Sequence, residues 1–423
     1  MAKGTQLSSS EINPGTLRWR LFFTLALMYI LVYFYRVSLA VVAGDLSRDL
    51  SLSPEQLGTL AGILFYVYAV AQIPLGPLID RFGGRLVISC CGLLTVCGGF
   101  LFAQARTLEM AMAARVLIGI GTAAVLMATF AIFSHWYDKQ EFGRISGLMV
   151  AAGNLGNLAG TAPLALLVGF SGWRGAFLGI AVLQLLVTLL VFLKVRDTPP
   201  DRASDLTPEV GENLPVRPGM FDAWKIIARD RSFWLLAAVS FCWYGNYLAV
   251  QGLWGGPYLT EVLGLTREGA GAMLMWTSVG FIAGSVLMDK AARLLFHSYK
   301  WALIAGQCCL LVLMTGFLGW LDGLSRPLLG IYFFAVGCAV SSGIMIYPII
   351  RASFPVSIVG TALTSLNFFV LMGAAMAQQV MGLVVERMGG YSPQAFHVAF
   401  AVPVAGLLAA ILLYLFARNC PAG

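Results

Sequence analysis

Two arginines stand inside apolar runs, where a cation is costly. Arg36 is the sole charge between Leu21 and Ala43, and Arg115 lies six residues past Glu109 in a second run. Counted from Ala43 and Glu109 at 1.5 Å per residue, both sit about 10 Å beneath one end of their segments, so a shared depth is expected. Arginine at the centre of a membrane helix costs ~2.5–3.5 kcal/mol. Snorkelling to the headgroups, a buried carboxylate or an anionic ligand would offset that cost. None of the twenty acidic residues falls in the middle of an apolar run; Asp45, Asp49, Glu109 and Glu261 lie at run ends or in loops. An arginine fork binds carboxylate or phosphate through two parallel hydrogen bonds. The pattern points to a small-molecule anionic substrate, with carboxylate favoured over phosphate.

Other residues of suitable chemistry accompany them. Tyr29, Tyr33, Arg36 and Ala40 follow i, i+4, i+7, i+11 spacing, one stripe of a helix. WYGNYLAVQGLW (243–254) offers Tyr244, Asn246, Tyr247 and Gln251, and Ser341, Ser342 and Asn367 are further candidates. Such side chains serve equally well as hydrogen-bonding glue between helices. Gly255-Gly256-Pro257 is expected to interrupt its helix as a hinge or gate.

Catalytic chemistry finds no support. His135, His297 and His397 stand far apart, and no HExxH, nucleophile elbow, P-loop or cysteine cluster occurs. Seven of the eight cysteines fall in apolar runs without a CxxC, as small packing residues do. No enzyme activity, metal or cofactor is expected.

A membrane scaffold must position the arginines. Of 423 residues 59% are hydrophobic and 11% charged, with mean hydropathy +0.83; soluble domains carry about a quarter charged residues. Runs long enough to cross ~30 Å of hydrocarbon recur. They fall at 19–43, 56–79, 86–104, 109–134, 145–169, 174–194, 233–257, 269–288, 301–320, 328–349, 359–385 and 395–417. The short alternating segments of a β-barrel are missing. The expected class is an all-α membrane protein with twelve transmembrane helices in the lipid bilayer.

The net charge of +7 reports topology. With residue 1 in the cytoplasm, nineteen Lys and Arg fall in inside segments, every lysine among them, against six arginines outside. That is the positive-inside bias, so both termini are expected to be cytoplasmic, in a bacterial inner (plasma) membrane, with no nucleic-acid partner. The polar first 18 residues lack a cleavage site, so the first span is expected to be retained.

Residues 196–231 are rich in proline and charge and read as a cytoplasmic linker. The expected division is a tail (1–18), a six-helix bundle (19–195), the linker (196–231), a second six-helix bundle (232–417) and a tail (418–423). LSLSPEQLG (50–58) and LGLTREGAG (263–271) each place Ser or Thr at a helix N-cap with Glu in the first turn. Asp80-Arg81 and Asp289-Lys290 then close the helices that follow. This order indicates duplication, and transporters built from two parallel repeats hold their substrate near the midplane between halves.

GPLIDRFGGR (76–85) resembles the loop 2–3 signature of the major facilitator superfamily, G-x-L-x-D-R-x-G-x-R/K. Gly76 is expected to admit a neighbouring helix, and Gly83-Gly84 to make a tight turn. The resemblance implies that Gly76, Asp80, Arg81, Gly84 and Arg85 latch the halves in one conformation, with Asp289 in a degenerate second copy, GSVLMDKAARL (284–294).

The first 150 residues are similar to the anion:cation symporter branch, through YRVSLAVVAGDLSRDLSLSPEQLGTL, YAVAQIPLGPLIDRFGGR and ARVLIGIGTAAVLMATFAIFSHWYDKQEFGRISGL. That branch includes sugar-acid, organophosphate and sialic-acid-type carriers. The similarity implies that Arg36 and Arg115 bind the anion and that Tyr68 and Gln72 match a helix 2 tyrosine and glutamine. Tyr35 and Thr122 stand where many members carry the acids that move protons. LWGGPYL (253–259) resembles the bacterial intraphagosomal amino-acid and nucleoside carriers instead. Small-residue GNLGNLAGTAP (153–163) is expected to pack closely, and its Gly160-Thr161-Ala162-Pro163 order differs from the Gly-Pro step of drug antiporters. The expected function is secondary active transport of a small organic anion by alternating access, in a monomer. Protons would be carried by Asp45, Glu109 or the substrate, or not at all. An exporter of neutral or cationic compounds, or a non-transporting substrate sensor, is the alternative.

Overall fold

The computed structural model of the protein describes residues 14–199 and 220–420. The tail before Pro14 and most of the 196–231 linker lie outside the described residues.

The regular elements are helices. α1 (Pro14–Val37) and α2 (Leu39–Leu50) form the first span, jointed at Ser38, and α3 (Pro54–Phe82) and α4 (Gly84–Ala103) the next two. α5 (Leu108–Ala123) and α6 (Val125–Trp136) make the fourth. α7 (Lys139–Ala159) and the start of α8 (Ala162–Lys194) make the fifth. Gly172, at φ 67°, turns the chain into the sixth within α8. Beyond α9 (Met220–Arg229), the seventh span runs through α10 (Arg231–Leu248) and α11 (Gly255–Pro257). Then come α12 (Arg267–Ala291), α13 (Tyr299–Met314), α14 (Arg326–Val340) with α15 (Ile346–Ser353), α16 (Val356–Arg387) and α17 (Pro393–Tyr414). Among the described residues ten helices are long and apolar enough to cross a membrane. α7 and α12, which carry charged residues at their ends and are less apolar, bring the passes to twelve.

The helix starts follow the sequence signals. Ser53 Oγ accepts the Gln56 N–H (3.3 Å) while Gln56 Oε1 accepts the Ser53 N–H (3.0 Å), a reciprocal cap at the head of α3. Thr266 caps α12 through the Gly269 N–H (3.2 Å). Both stretches therefore cap their helices in the same way. Gly83 takes φ 82°, which favours glycine, and a Cβ on Gly84 would lie 2.7 Å from the Ala128 carbonyl oxygen. The loop glycines thus turn the chain and let α4 approach α6.

Glycines also set the seam between halves. A Cβ on Gly58 would stand 2.6 Å from the Gln378 carbonyl oxygen, on Gly62 2.9 Å from that of Ala375, and on Gly382 2.5 Å from that of Pro54. α3 and α16 therefore meet at backbone distance, where dispersion and close packing hold helices together in lipid. The expected packing role of GNLGNLAGTAP agrees, since a Cβ on Gly156 would fall 2.0 Å from the Ile30 carbonyl oxygen.

Two expectations need correction. Gly76 admits no neighbour here: a Cβ on it would stand in open space, with nothing within 4 Å. The Gly255–Pro257 step does not interrupt its helix either. π-helical turns at Ala249–Trp254 and Tyr258–Val262 flank it and carry the helix through; wider turns of this kind absorb a local irregularity.

Candidate functional site

Arg36 occupies the last turn of α1, just before the joint, and is 8% exposed. It does not snorkel. Its guanidinium is in cation–π contact with two rings, the Tyr33 and Tyr68 centroids each 4.7 Å from Cζ. Tyr33 precedes it by one turn of α1, and Tyr68 projects from α3. Arg36 Nη1 donates to Tyr244 Oη (3.4 Å) on α10, in the other half, and Nε has no partner among the described residues. Cation–π contact of this kind is strongest where water is excluded.

More tyrosines extend the cage. Tyr29 Oη donates to Tyr33 Oη (3.4 Å), and the Tyr244 and Tyr247 rings stand 5.8 Å apart. Asn157 Nδ2 donates to Tyr247 Oη (3.0 Å) and to Asn154 Oδ1 (3.3 Å), tying α7 to α10 across the halves. Tyr347, on α15 in the tenth span, is coupled electrostatically to the same charge and is 43% exposed. Among the described residues no carboxylate pairs with Arg36 or Arg115.

Arg115 is at the same level, as the spacing implied, but its bonded donors face backbone. It is 1% exposed; Nη1 donates to the Tyr35 carbonyl (3.0 Å), Nε to the Leu60 carbonyl (3.3 Å), and Nη2 has no partner among the described residues. Gln72 Oε1 accepts from Asn367 Nδ2 (3.0 Å), a bridge from α3 to α16. Asn246 donates to the carbonyls of Cys242 and Pro403 (2.8 Å each) and Gln251 to Ser278 Oγ (3.0 Å). These last two join helices of the second half, and their bonds do not reach Arg36. Gln307 Nε2 holds Ser342 Oγ (2.9 Å), and Ser341 bonds back to Cys338.

Tyr347 and Asn157 escaped the sequence reading. Tyr347 lies beyond a 3₁₀ turn (Ser341–Met345) that resets the helix face, and Asn157 sits among glycines whose packing role masks it.

At one end of the bundle the halves are bolted together. Asp45 forms an ion pair with Arg267, and Arg48 reaches the same carboxylate (3.2 Å). Glu386 Oε2 accepts from Ser53 Oγ (2.6 Å) and the Glu55 N–H (2.9 Å), and the Ser47 and Tyr391 hydroxyls meet at 3.5 Å. At the other end the loop after α3 contacts its own half. Arg85 N–H donates to Asp197 Oδ1 (2.9 Å), its Nε to the Phe192 carbonyl (2.9 Å), and Arg81 lies over Phe82. The side chains of Asp80 and Asp289 lie outside the described residues.

Known proteins resemble this chain throughout its length. A probable sulfoacetate transporter of Cupriavidus necator is 26% identical over 92% of both chains. A probable L-galactonate transporter of Escherichia coli is 25% identical over 66% of this chain and 63% of its own. Among solved structures, a bacterial homolog of the human lysosomal transporter Spinster superposes with a TM-score of 0.74 at 18% identity, covering 95% of this chain and 97% of its own. A D-xylose-proton symporter gives 0.70 at 16% identity, covering 95% and 98%. These likenesses show the fold. The family model of the Major Facilitator Superfamily matches residues 25–377; the chain belongs to that superfamily, as a membrane transporter and not an enzyme.

Proposed function

We propose that this transporter carries a small organic anion across the membrane by alternating access and binds it at Arg36. The observation that carries this reading is the Arg36 cage itself: a buried guanidinium, ringed by tyrosines, with no carboxylate paired to it among the described residues. Two rings within cation–π reach leave the Nε of the fork without a bonded partner among the described residues, and such a fork presents donors in the geometry a carboxylate or sulfonate accepts. A single positive charge suits a monoanionic head. A phosphate dianion would call for a second cation, and Arg115 directs Nε and Nη1 at backbone, with only its Nη2 left without a partner among the described residues. The names of the relatives, sulfoacetate and galactonate transporters, support an organic acid.

The bolted Asp45 end, with the Arg85 loop bonded only within its own half among the described residues, supports a state facing the Arg85 end. Under the positive-inside reading of the sequence that is the cytoplasm. Tyr33, Tyr68 and Tyr244 then hold the head group, and Gln72 with Asn367 lies one turn further toward the open side. The loop from Gly76 to Arg85 would latch the halves in the opposite state. Coupling to protons, if used, falls to Asp45, Glu109 or the substrate.

The test is flux in proteoliposomes, with and without a pH gradient. The panel holds sulfoacetate, L-galactonate, a hexose phosphate, a neutral sugar, an amino acid and a cationic drug. Uptake of organic acids that Arg36→Gln abolishes supports the reading. Uptake of cationic or neutral compounds alone would replace it with export, and binding without flux would make the protein a sensor.

A further inference from the structure

We infer that Arg115 is a positioning residue rather than a ligand of the transported anion: it holds open a joint in the first span that links the Arg36 cage to the gate at the Asp45 end. α1 stops at Val37 and α2 starts at Leu39, with Ser38 between them. The Ser38 N–H still bonds the Phe34 carbonyl (3.0 Å). The next carbonyl, of fully buried Tyr35, would take the Leu39 N–H in an unbroken helix. It takes Arg115 Nη1 at 3.0 Å instead, with Ser38 Oγ at 3.5 Å.

A carbonyl released from its helix inside a membrane has no water to turn to and needs a protein donor. Arg115 supplies it, and its Nε holds the Leu60 carbonyl of α3 at the same time. One guanidinium thereby fixes the broken turn of the first span against the second. The consequences on either side are specific. Tyr35 is the residue next to Arg36, and the residues past the joint close the gate. A Cβ on Gly256 would fall 1.7 Å from the Ala40 carbonyl oxygen, Asp45 pairs with Arg267, and Ser47 meets Tyr391. When the gate opens, the Leu39 N–H recovers the Tyr35 carbonyl and Arg115 lets go. The joint is a property of the fold; only its link to anion binding rests on the role proposed for Arg36.

The experiment needs no ligand, so its failure is separate from failure of the substrate reading. Amide hydrogen exchange is followed at single-residue resolution on the full chain in nanodiscs. In the wild type the amides of Leu39 to Val41, at the start of a new helix, exchange at least about tenfold faster than those of Leu25 to Phe34. Equal protection would overturn the joint. In Arg115→Gln the Leu39 amide slows toward the helix-body rate as Tyr35 recaptures it, and in Arg115→Lys the change is partial. Unchanged or faster exchange at Leu39 would overturn the assignment, whereas a merely structural role would lower the melting temperature without this local slowing. As a gate readout, a Ser47→Cys, Tyr391→Cys pair cross-links more slowly when Arg115→Gln is added; an unchanged rate would sever the joint from the gate. If the glutamine variant does not fold, the wild-type profile and the lysine variant decide the matter.

Discussion

Gly256 meets Ala40 at backbone distance: a Cβ on Gly256 would stand 1.7 Å from the Ala40 carbonyl oxygen. The seventh span, π-helical on either side of this glycine, touches the first just past its joint. This contact closes the Asp45 end and leaves no room for any larger residue.

Gly256→Ala is therefore expected to prop the gate. Overpacking of this kind costs about 1–3 kcal/mol, enough to shift a two-state population about five- to a hundredfold. Double electron–electron resonance between spin labels at the Asp45 end would show a longer distance distribution, and transport would slow. An unchanged distribution would mean that the helices slide past each other instead.

The rings on Arg36 make a graded prediction. Tyr68→Phe keeps the π-face and is expected to retain anion binding within about threefold, whereas Tyr68→Leu should lose about five- to thirtyfold, the worth of a desolvated cation–π contact. Isothermal titration with the strongest binder of the acid panel gives both numbers. Equal losses in the two variants would assign the Tyr68 contribution to its hydroxyl.

Asp45 holds Arg267 across the gate and Arg48 on its own helix, and it is partly exposed. A partly exposed pair contributes up to about 1 kcal/mol, so Asp45→Asn should shift the gate toward opening about fivefold. Accessibility of a cysteine placed at Val41 to a membrane-impermeant maleimide reads this shift. A smaller effect of the same sign is expected in high salt, which screens exposed ions.

Asp49, at the end of α2 and past the apolar run that closes at Ala43, provides a pH test. The Trp173 indole N–H (2.8 Å) and the Arg174 guanidinium hold its carboxyl below the ordinary carboxylate range. A group whose folded pKa is lowered contributes stability above its unfolded pKa of about 3.9 and loses it as the pH falls through the folded value. The melting-temperature gap between wild type and Asp49→Asn should thus be full near neutrality and close in strong acid. A gap that persists there would show that packing against Trp173, not charge, explains it.

Much of this protein was legible in its residues because lipid allows few solutions. An apolar run of spanning length must satisfy its own backbone and become a helix, so the twelve passes and the two capped starts at Ser53 and Thr266 could be read directly. The same logic singled out Arg36 and Arg115, since a lone cation in hydrocarbon demands a partner, and counting residues placed them at one level. Residue spacing alone could not say where each guanidinium points. Packing decided that Arg36 meets the rings of Tyr33 and Tyr68 while Arg115 turns to the carbonyls of Tyr35 and Leu60. It also brought in Tyr347 and Asn157 and left Gly76 without a neighbour. A helix's face depends on how its turns are broken, widened or tightened, and at Ser38, Ala249–Trp254 and Ser341–Met345 neighbouring helices set those turns. Sequence determined which groups enter the membrane; tertiary structure decided which of them face each other.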